Sequence, residues 1–196
     1  MSHYFSKNND DLKTLEKDIF VQVNNKKFSF TTDHGVFSKA GLDFGSRLLI
    51  ESVLTMPVKT CLDLGSGYGP LGIIYKTFNP DAKVSASDIN ERAVKLARKN
   101  AKKNKVDIEV LESDGFEKIN GDFDLIICNP PIRAGKAIIY RFFEDAYNHL
   151  AAEGYFIFVM NKKHGSPSAI KKCESIYQSV EIMNKKSGYQ VIKCRK

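Results

Sequence analysis

The sequence predicts an α/β chain of Rossmann-like type: a mostly parallel seven-stranded sheet with an antiparallel C-terminal strand, preceded by an N-terminal β-hairpin extension. Three observations carry that reading. From Thr60 onward, short apolar runs alternate with stretches of helical periodicity, and strands joined through helices lie parallel with both faces covered. The last two strand-like runs, SVEIMN and YQVIKCRK, are separated only by KKSG, too little chain for a crossover, so they pair antiparallel. The chain has 196 residues, 42% of them hydrophobic, which suits one α/β core and is short for two.

Taken in order, residues 19–31, IFVQVNNKKFSFT, contain two alternating runs around Asn24 and Asn25, the pattern of a hairpin whose turn tolerates left-handed backbone angles. After the connector FSKAGLDFGS, residues 46–54 place Leu48, Leu49, Val53 and Leu54 on one helical face until Pro57 stops the helix. The alternation that follows reads KTCLDLG then PLGIIYKTF, KVSASD then ERAVKLARKNAKK, VDIEVLE then a loop, DLIICN then AIIYRFFEDAYNHL, and GYFIFVM then SAIKKCESIYQ. No repeat or linker interrupts it, so residues 1–196 are expected to form one domain, with residues 1–36 as the extension and 37–196 as the core.

Composition narrows the function. Thirty Lys plus Arg against 23 Asp plus Glu give a net charge of +7, a field that attracts phosphate-rich partners without naming one. The start, MSHYFSKNNDDLK, has no apolar leader core, and no apolar run approaches the roughly 18 residues that span a bilayer. A soluble, cytoplasmic protein without a membrane partner is expected. Cys61, Cys128, Cys173 and Cys194 form no CxxC pair, and the histidines at 3, 34, 149 and 164 form no HxxxH or HExxH spacing, so no protein-held metal is expected.

The chemistry gathers at the ends of the strand-like runs. Asp63, Gly65, Ser66, Gly67 and Gly69 in LDLGSGYG follow a strand and open a helix, where backbone without Cβ atoms approaches a ligand and helical N–H groups stand unpaired. The spacing is GxGxG, not the GxGxxG of dinucleotide enzymes, and no GK[ST] follows to cradle a triphosphate; a smaller nucleoside ligand fits better. Asp88 ends the second strand, 19 positions beyond Gly69, where a carboxylate accepts from both hydroxyls of a ribose. Ile89 could cover a face of the base, Asp114 could accept from its amine, and Gly115 and Phe116 lie beside it. Singly, each acid also fits a helix cap or a solvated loop; together they end three successive strands. A fourth strand, DLIIC, runs into Asn129, Pro130, Pro131 and Ile132. By itself that is a strand end and a turn.

In this order the motifs resemble the class I S-adenosylmethionine-dependent methyltransferases, over about residues 37 to 196. The resemblance implies S-adenosylmethionine as cofactor, with Gly65 to Gly69 against the methionine moiety, Asp63 near its amino group, Asp88 on the ribose, Asp114 on the adenine, and Asn129 bordering the cofactor as well as the substrate. It also gives the Asn-Pro-Pro a task. An exocyclic amine is a poor nucleophile because its lone pair is delocalised into the ring. Asn129 and the Pro130 carbonyl can hold its N–H bonds, direct the lone pair and stabilise the positive charge that develops, with the prolines keeping the carbonyls rigid. In the amino-methyltransferases an aromatic residue usually follows NPP and stacks on the target base; Ile132 stands there instead. Phe37, Tyr4 and Phe5 are candidate replacements, each of which also fits core packing.

GVFSKAGLDFGSRLLIE, LDLGSGYGPLGI and NPPIRAGK together look like the small-subunit ribosomal RNA guanine-N2 methyltransferases of RsmC type. That likeness implies that Phe37, Asp43 and Gly45 fold over the cofactor, and that ribosomal RNA or a ribosomal subunit is the partner. Larger members carry an additional domain in front that helps hold RNA, so RNA selection here falls to the hairpin, the basic surface or the second subunit of a homodimer. Pro131 and Ile132 would border the base, and Arg133 and Lys136 are placed to meet the flanking phosphates. The cationic helix NERAVKLARKNAKKNK reads more simply as a solvated face, and Lys162 and His164 border the same cleft without a defined role. Adenine-N6 and protein-glutamine methylation use the same planar amine, and an RNA-binding assembly factor without turnover is a third alternative.

Overall fold

A computed structural model describes residues 15–34, 36 and 41–196. Strands β1 (Lys17–Val23) and β2 (Lys26–Thr32) pair antiparallel with Ile19 opposite Phe30, and Asn24 takes φ +50° in the turn. The alternation sends Ile19, Val21, Val23, Phe28 and Phe30 into the core, leaving Phe20 on the outer face, 81% exposed.

Helix α1 (Phe44–Val53) starts two residues before the predicted boundary, because the Asp43 side chain caps it by accepting from the Ser46 N–H at 3.1 Å. Then come β3 (Thr60–Leu64), α2 (Pro70–Phe78), β4 (Lys83–Asp88), α3 (Glu91–Lys103), β5 (Glu109–Glu112), β6 (Phe123–Cys128), α4 (Lys136–Asn148), β7 (Leu150–Asn161), α5 (Ser166–Glu174), β8 (Ser179–Lys186) and β9 (Tyr189–Arg195). Strand β5 is shorter than VDIEVLE suggested. Strand β7 is longer than GYFIFVM, starting at Leu150, with a register irregularity against β6 between Phe123 and Leu125.

The seven strands lie in the order β5-β4-β3-β6-β7-β9-β8, with β9 antiparallel to both neighbours and the other strand pairs parallel. Alternate residues serve opposite faces. Cys61, Leu125, Ile127, Ile157 and Val191 pack with α1, α2, α3 and the hairpin; Leu62, Leu64, Ile126, Cys128, Phe156, Phe158 and Ile192 pack with α4 and α5. All four cysteines are buried and free. Among the described residues no helix is long and apolar enough to cross a membrane, and no group of His, Cys, Asp or Glu is arranged to hold a metal ion. The chain order reverses at β3, since the path runs outward to β4 and β5 and then returns to β6 on β3's other side. Such a reversal opens a crevice beyond the carboxyl ends of the strands.

Candidate functional site

That crevice is a cavity of about 920 Å³ lined from the ends of β3, β4, β6 and β7, the segment after β5, and the start of α1. The glycine loop forms one wall. Gly65, Ser66 and Gly67 line it. Gly67 has φ +56°, and a Cβ built there would meet nothing within 4 Å, so the loop's bare backbone faces open cavity. Gly69 is different: it does not line the cavity, and a Cβ would lie 3.1 Å from the Cβ of Ala97. Its smallness serves the close packing of the loop on α3.

Asp88 lines the cavity with its carboxylate already oriented. One oxygen accepts from the Gly67 N–H at 2.8 Å and the other from the Asn90 N–H at 2.9 Å. Burial pushes its pKa up, against the pull of those backbone donors. Ile89, Asp114 and Gly115 also line the cavity, and Asp114 is ion-paired with Arg141 of α4. Phe116 stands elsewhere. Its ring is buried with Ile119 and Phe123 and stacks on His149 with centroids 4.5 Å apart, because the segment after β5 turns its apolar side chain into the core. Asp63 does not line the cavity either. It is fully buried behind the loop, with one oxygen accepting from the Gly72 N–H at 2.8 Å and the other without a hydrogen bond among the described residues.

Across the cavity, the Asn129 side-chain nitrogen donates to Ser46 Oγ at 2.9 Å and to the Asp43 carboxylate at 3.4 and 3.5 Å. Since a carboxylate only accepts, this assigns the amide's orientation. The Asn129 carbonyl oxygen and the Pro130 backbone carbonyl accept no hydrogen bond within the described residues, and both residues line the cavity with Pro131, Ile132 and Arg133. Gly45, Lys136 and Asp63 stand outside that lining. The Lys136 ammonium lies 5.1 Å from the centre of the Tyr140 ring. Phe37, Tyr4 and Phe5 lie outside the described residues.

Sequence reasoning did not single out Tyr189, Arg141 or Ser46, all of which line the cavity. The signal for Tyr189 was present in the terminal hairpin: pairing β9 back along β7 sets Tyr189 opposite Asn161, at the strand end nearest the site. Ser46 follows from the Asp43 cap. Arg141 sits in the second turn of α4 and carries no local motif.

A nucleoside-bearing ligand fits these groups. The cavity offers an oriented carboxylate, bare backbone at Gly67, and apolar cover from Ile89, and the buried Ser66 and Ser87 hydroxyls in its wall have no hydrogen-bond partner among the described residues. The model of one protein family, the methyltransferase small domain, matches residues 27–193. The chain is 41% identical over 198 residues to the Bacillus subtilis (strain 168) protein YbxB, described as uncharacterized, covering 99% of this chain and 98% of that one. It is 35% identical over 161 residues to ribosomal RNA small subunit methyltransferase C of Haemophilus influenzae, covering 80% of this chain and 49% of that protein. Among solved structures it superposes with TM-score 0.83 and 25% identity on the 16S rRNA N2 G1207 methyltransferase (RsmC) of T. thermophilus in complex with AdoMet and guanosine, covering 94% of this chain and 52% of that one. It thus spans about half the length of these two ribosomal RNA methyltransferases.

Proposed function

Because the chain belongs to the methyltransferase small domain family and is an S-adenosylmethionine-dependent methyltransferase, we propose that its substrate is an exocyclic amine of a ribosomal RNA base, the N2 of guanine in small-subunit rRNA. The observation that carries this reading is Asn129, whose amide nitrogen is committed to Asp43 and Ser46 while its carbonyl oxygen is left to accept. S-adenosylmethionine supplies a methyl group made electrophilic by its bond to a sulfonium sulfur.

The chain's own residues do the rest. Asp88, oriented by Gly67 and Asn90, would hold the ribose hydroxyls, Ile89 would cover the adenine and Asp114 would accept from its amine. Asp63 acts one layer back, fixing the start of α2 through Gly72. The Asn129 and Pro130 carbonyls accept the two N–H bonds of the target amine, aim its lone pair and stabilise its developing positive charge, after which a proton is lost to solvent. No strong base is needed. A polyanionic substrate suits the cations near the cavity: Arg133 and His164 line it, Lys162 and Lys163 precede His164, and Lys186 pairs in register with Tyr189 of the lining; all five are exposed and make no ion pair among the described residues. The Lys162 N–H donates to the Gly188 carbonyl at 2.9 Å, which joins two of these basic turns. This reading puts the protein in the cytoplasm with the ribosome.

Labelled methyl transfer to naked rRNA, to isolated ribosomal subunits and to release factor tests it. Label is expected on rRNA or subunits. Asn129→Ala should lower the rate by about 10²–10³-fold, the loss typical of removing one preorganised polar group, while calorimetry still detects cofactor binding. Label on release factor would point to glutamine chemistry, and binding without Asn129-dependent turnover to a non-catalytic assembly role.

A further inference from the structure

Ile132 leaves the substrate side of the cavity without the aromatic ring that the NPP motif would otherwise supply. Another ring stands nearby. Tyr189 opens β9, opposite Asn161 at the end of β7, and both residues line the cavity. Three further features hold it there. The Lys162 N–H donates to the carbonyl of the preceding Gly188. Phe44, itself 39% exposed, packs against the Tyr189 ring at 5.4 Å with a 42° tilt. Gly45 leaves just enough room beside it, since a Cβ would meet Tyr189 Cε1 at 3.1 Å and Asp43 Oδ1 at 3.2 Å. The ring therefore lies next to the carboxylate that orients Asn129. The other Tyr and Phe side chains of the described lining are buried, Tyr68 at 2% and Phe142 at 7% exposure; Tyr189 alone among them is partly open.

We propose that Tyr189, braced by Phe44, is the platform on which the substrate base stacks, taking the place of the missing aromatic at position 132. The proposal rests on the rRNA reading above and deepens it: a purine laid on this ring would have its amine beside the Asn129 and Pro130 acceptors. Gly45, which the resemblance assigns to the cofactor, gains a different reason to lack a side chain, since a methyl group there would push the ring away. The interaction needs an aromatic face and not the hydroxyl, because stacking uses the π-surface.

The test titrates guanosine calorimetrically into protein saturated with S-adenosylhomocysteine, and measures steady-state methylation of rRNA, for wild type, Tyr189→Phe, Tyr189→Trp and Tyr189→Leu. The Phe and Trp variants should bind guanosine and rRNA nearly as wild type does. Tyr189→Leu should raise the guanosine Kd and the rRNA KM by about 10- to 100-fold, the range for losing one base–aromatic stack, with the Kd for S-adenosylhomocysteine unchanged. Unaltered guanosine Kd and rRNA KM in Tyr189→Leu would overturn the proposal and leave the functional reading standing. So would a Phe variant as weak as Leu, since the hydroxyl would then be the operative group. Wild-type protein that binds S-adenosylhomocysteine but neither binds guanosine nor methylates RNA would overturn the functional reading, and this proposal with it.

Discussion

Asp63 shows how one enclosed side chain couples stability to pH. Its carboxylate is fully buried, with the Gly72 N–H as its hydrogen-bond donor, and desolvation pushes its pKa up to about 7, the charge of Asp88 adding a smaller push. An unfolded chain loses this proton near pH 4, whereas the folded protein keeps it until about pH 7. Between those values the native state binds more protons, so stability falls as pH rises, by up to about 1.4 kcal/mol per pH unit. Asp63→Asn retains an acceptor for Gly72 and removes the charge. Urea unfolding at pH 5, 6, 7 and 8 should show a downward slope in wild type that flattens in the variant, which is the more stable at pH 8; equal slopes would refute the linkage. At this scale the sequence was legible where strand ends carry the side chain: Asp88 and Asn129 line the cavity because their strands end there. Phe116 was not legible, since the direction taken by the segment after β5 depends on packing against His149, far away in sequence. Tyr189 depends on the register of two strands that are not consecutive.

At the scale of elements, the hairpin braces the glycine loop through α3. Asn100 and Asn104 sit one helical turn apart, a rise of about 6 Å, which nearly matches the spacing of alternate residues along a strand. Each amide takes the place of a strand neighbour on β2. Asn100 accepts from the Thr31 N–H at 2.7 Å and donates to the Thr31 carbonyl at 2.9 Å, and Asn104 does the same for Ser29 at 3.2 and 2.8 Å. Asn100 also donates to the Tyr68 carbonyl in the glycine loop at 2.9 Å, and the Phe30 ring meets the Tyr68 ring edge-on at 5.7 Å. The cationic face of α3 is partly engaged in the same contact, because Lys99 and Lys103 pair with Glu16 and Asp18. Asn100→Leu strips buried partners from three backbone groups and should cost about 3 kcal/mol or more, lowering Tm by roughly 6–12 °C for a domain of this size. It should also weaken cofactor binding through the loop. A thermal melt within error of wild type would contradict the brace. Periodicity revealed the helix and the hairpin separately; their partnership was hidden because it rests on two polar residues inside a segment that reads as a solvated face.

For the whole molecule, topology was the most legible feature, since alternating strand and helix signals and the short KKSG turn leave few ways to order a sheet. The reversal at β3 then dictates where the cavity opens. The net charge of +7 says little by itself; what bears on a polyanionic substrate is that Arg133 and His164 line that cavity and that Lys186 pairs in register with Tyr189 of its lining. These features converge on one claim, that rigid oxygen acceptors in a nucleoside-binding crevice direct a base amine for methylation. Mass spectrometry of nucleosides from ribosomal RNA incubated with S-adenosylmethionine and purified protein tests it most directly. N2-methylguanosine should appear with wild type and be lost with Asn129→Ala; a different methylated nucleoside, or none from protein that binds the cofactor, would contradict the account.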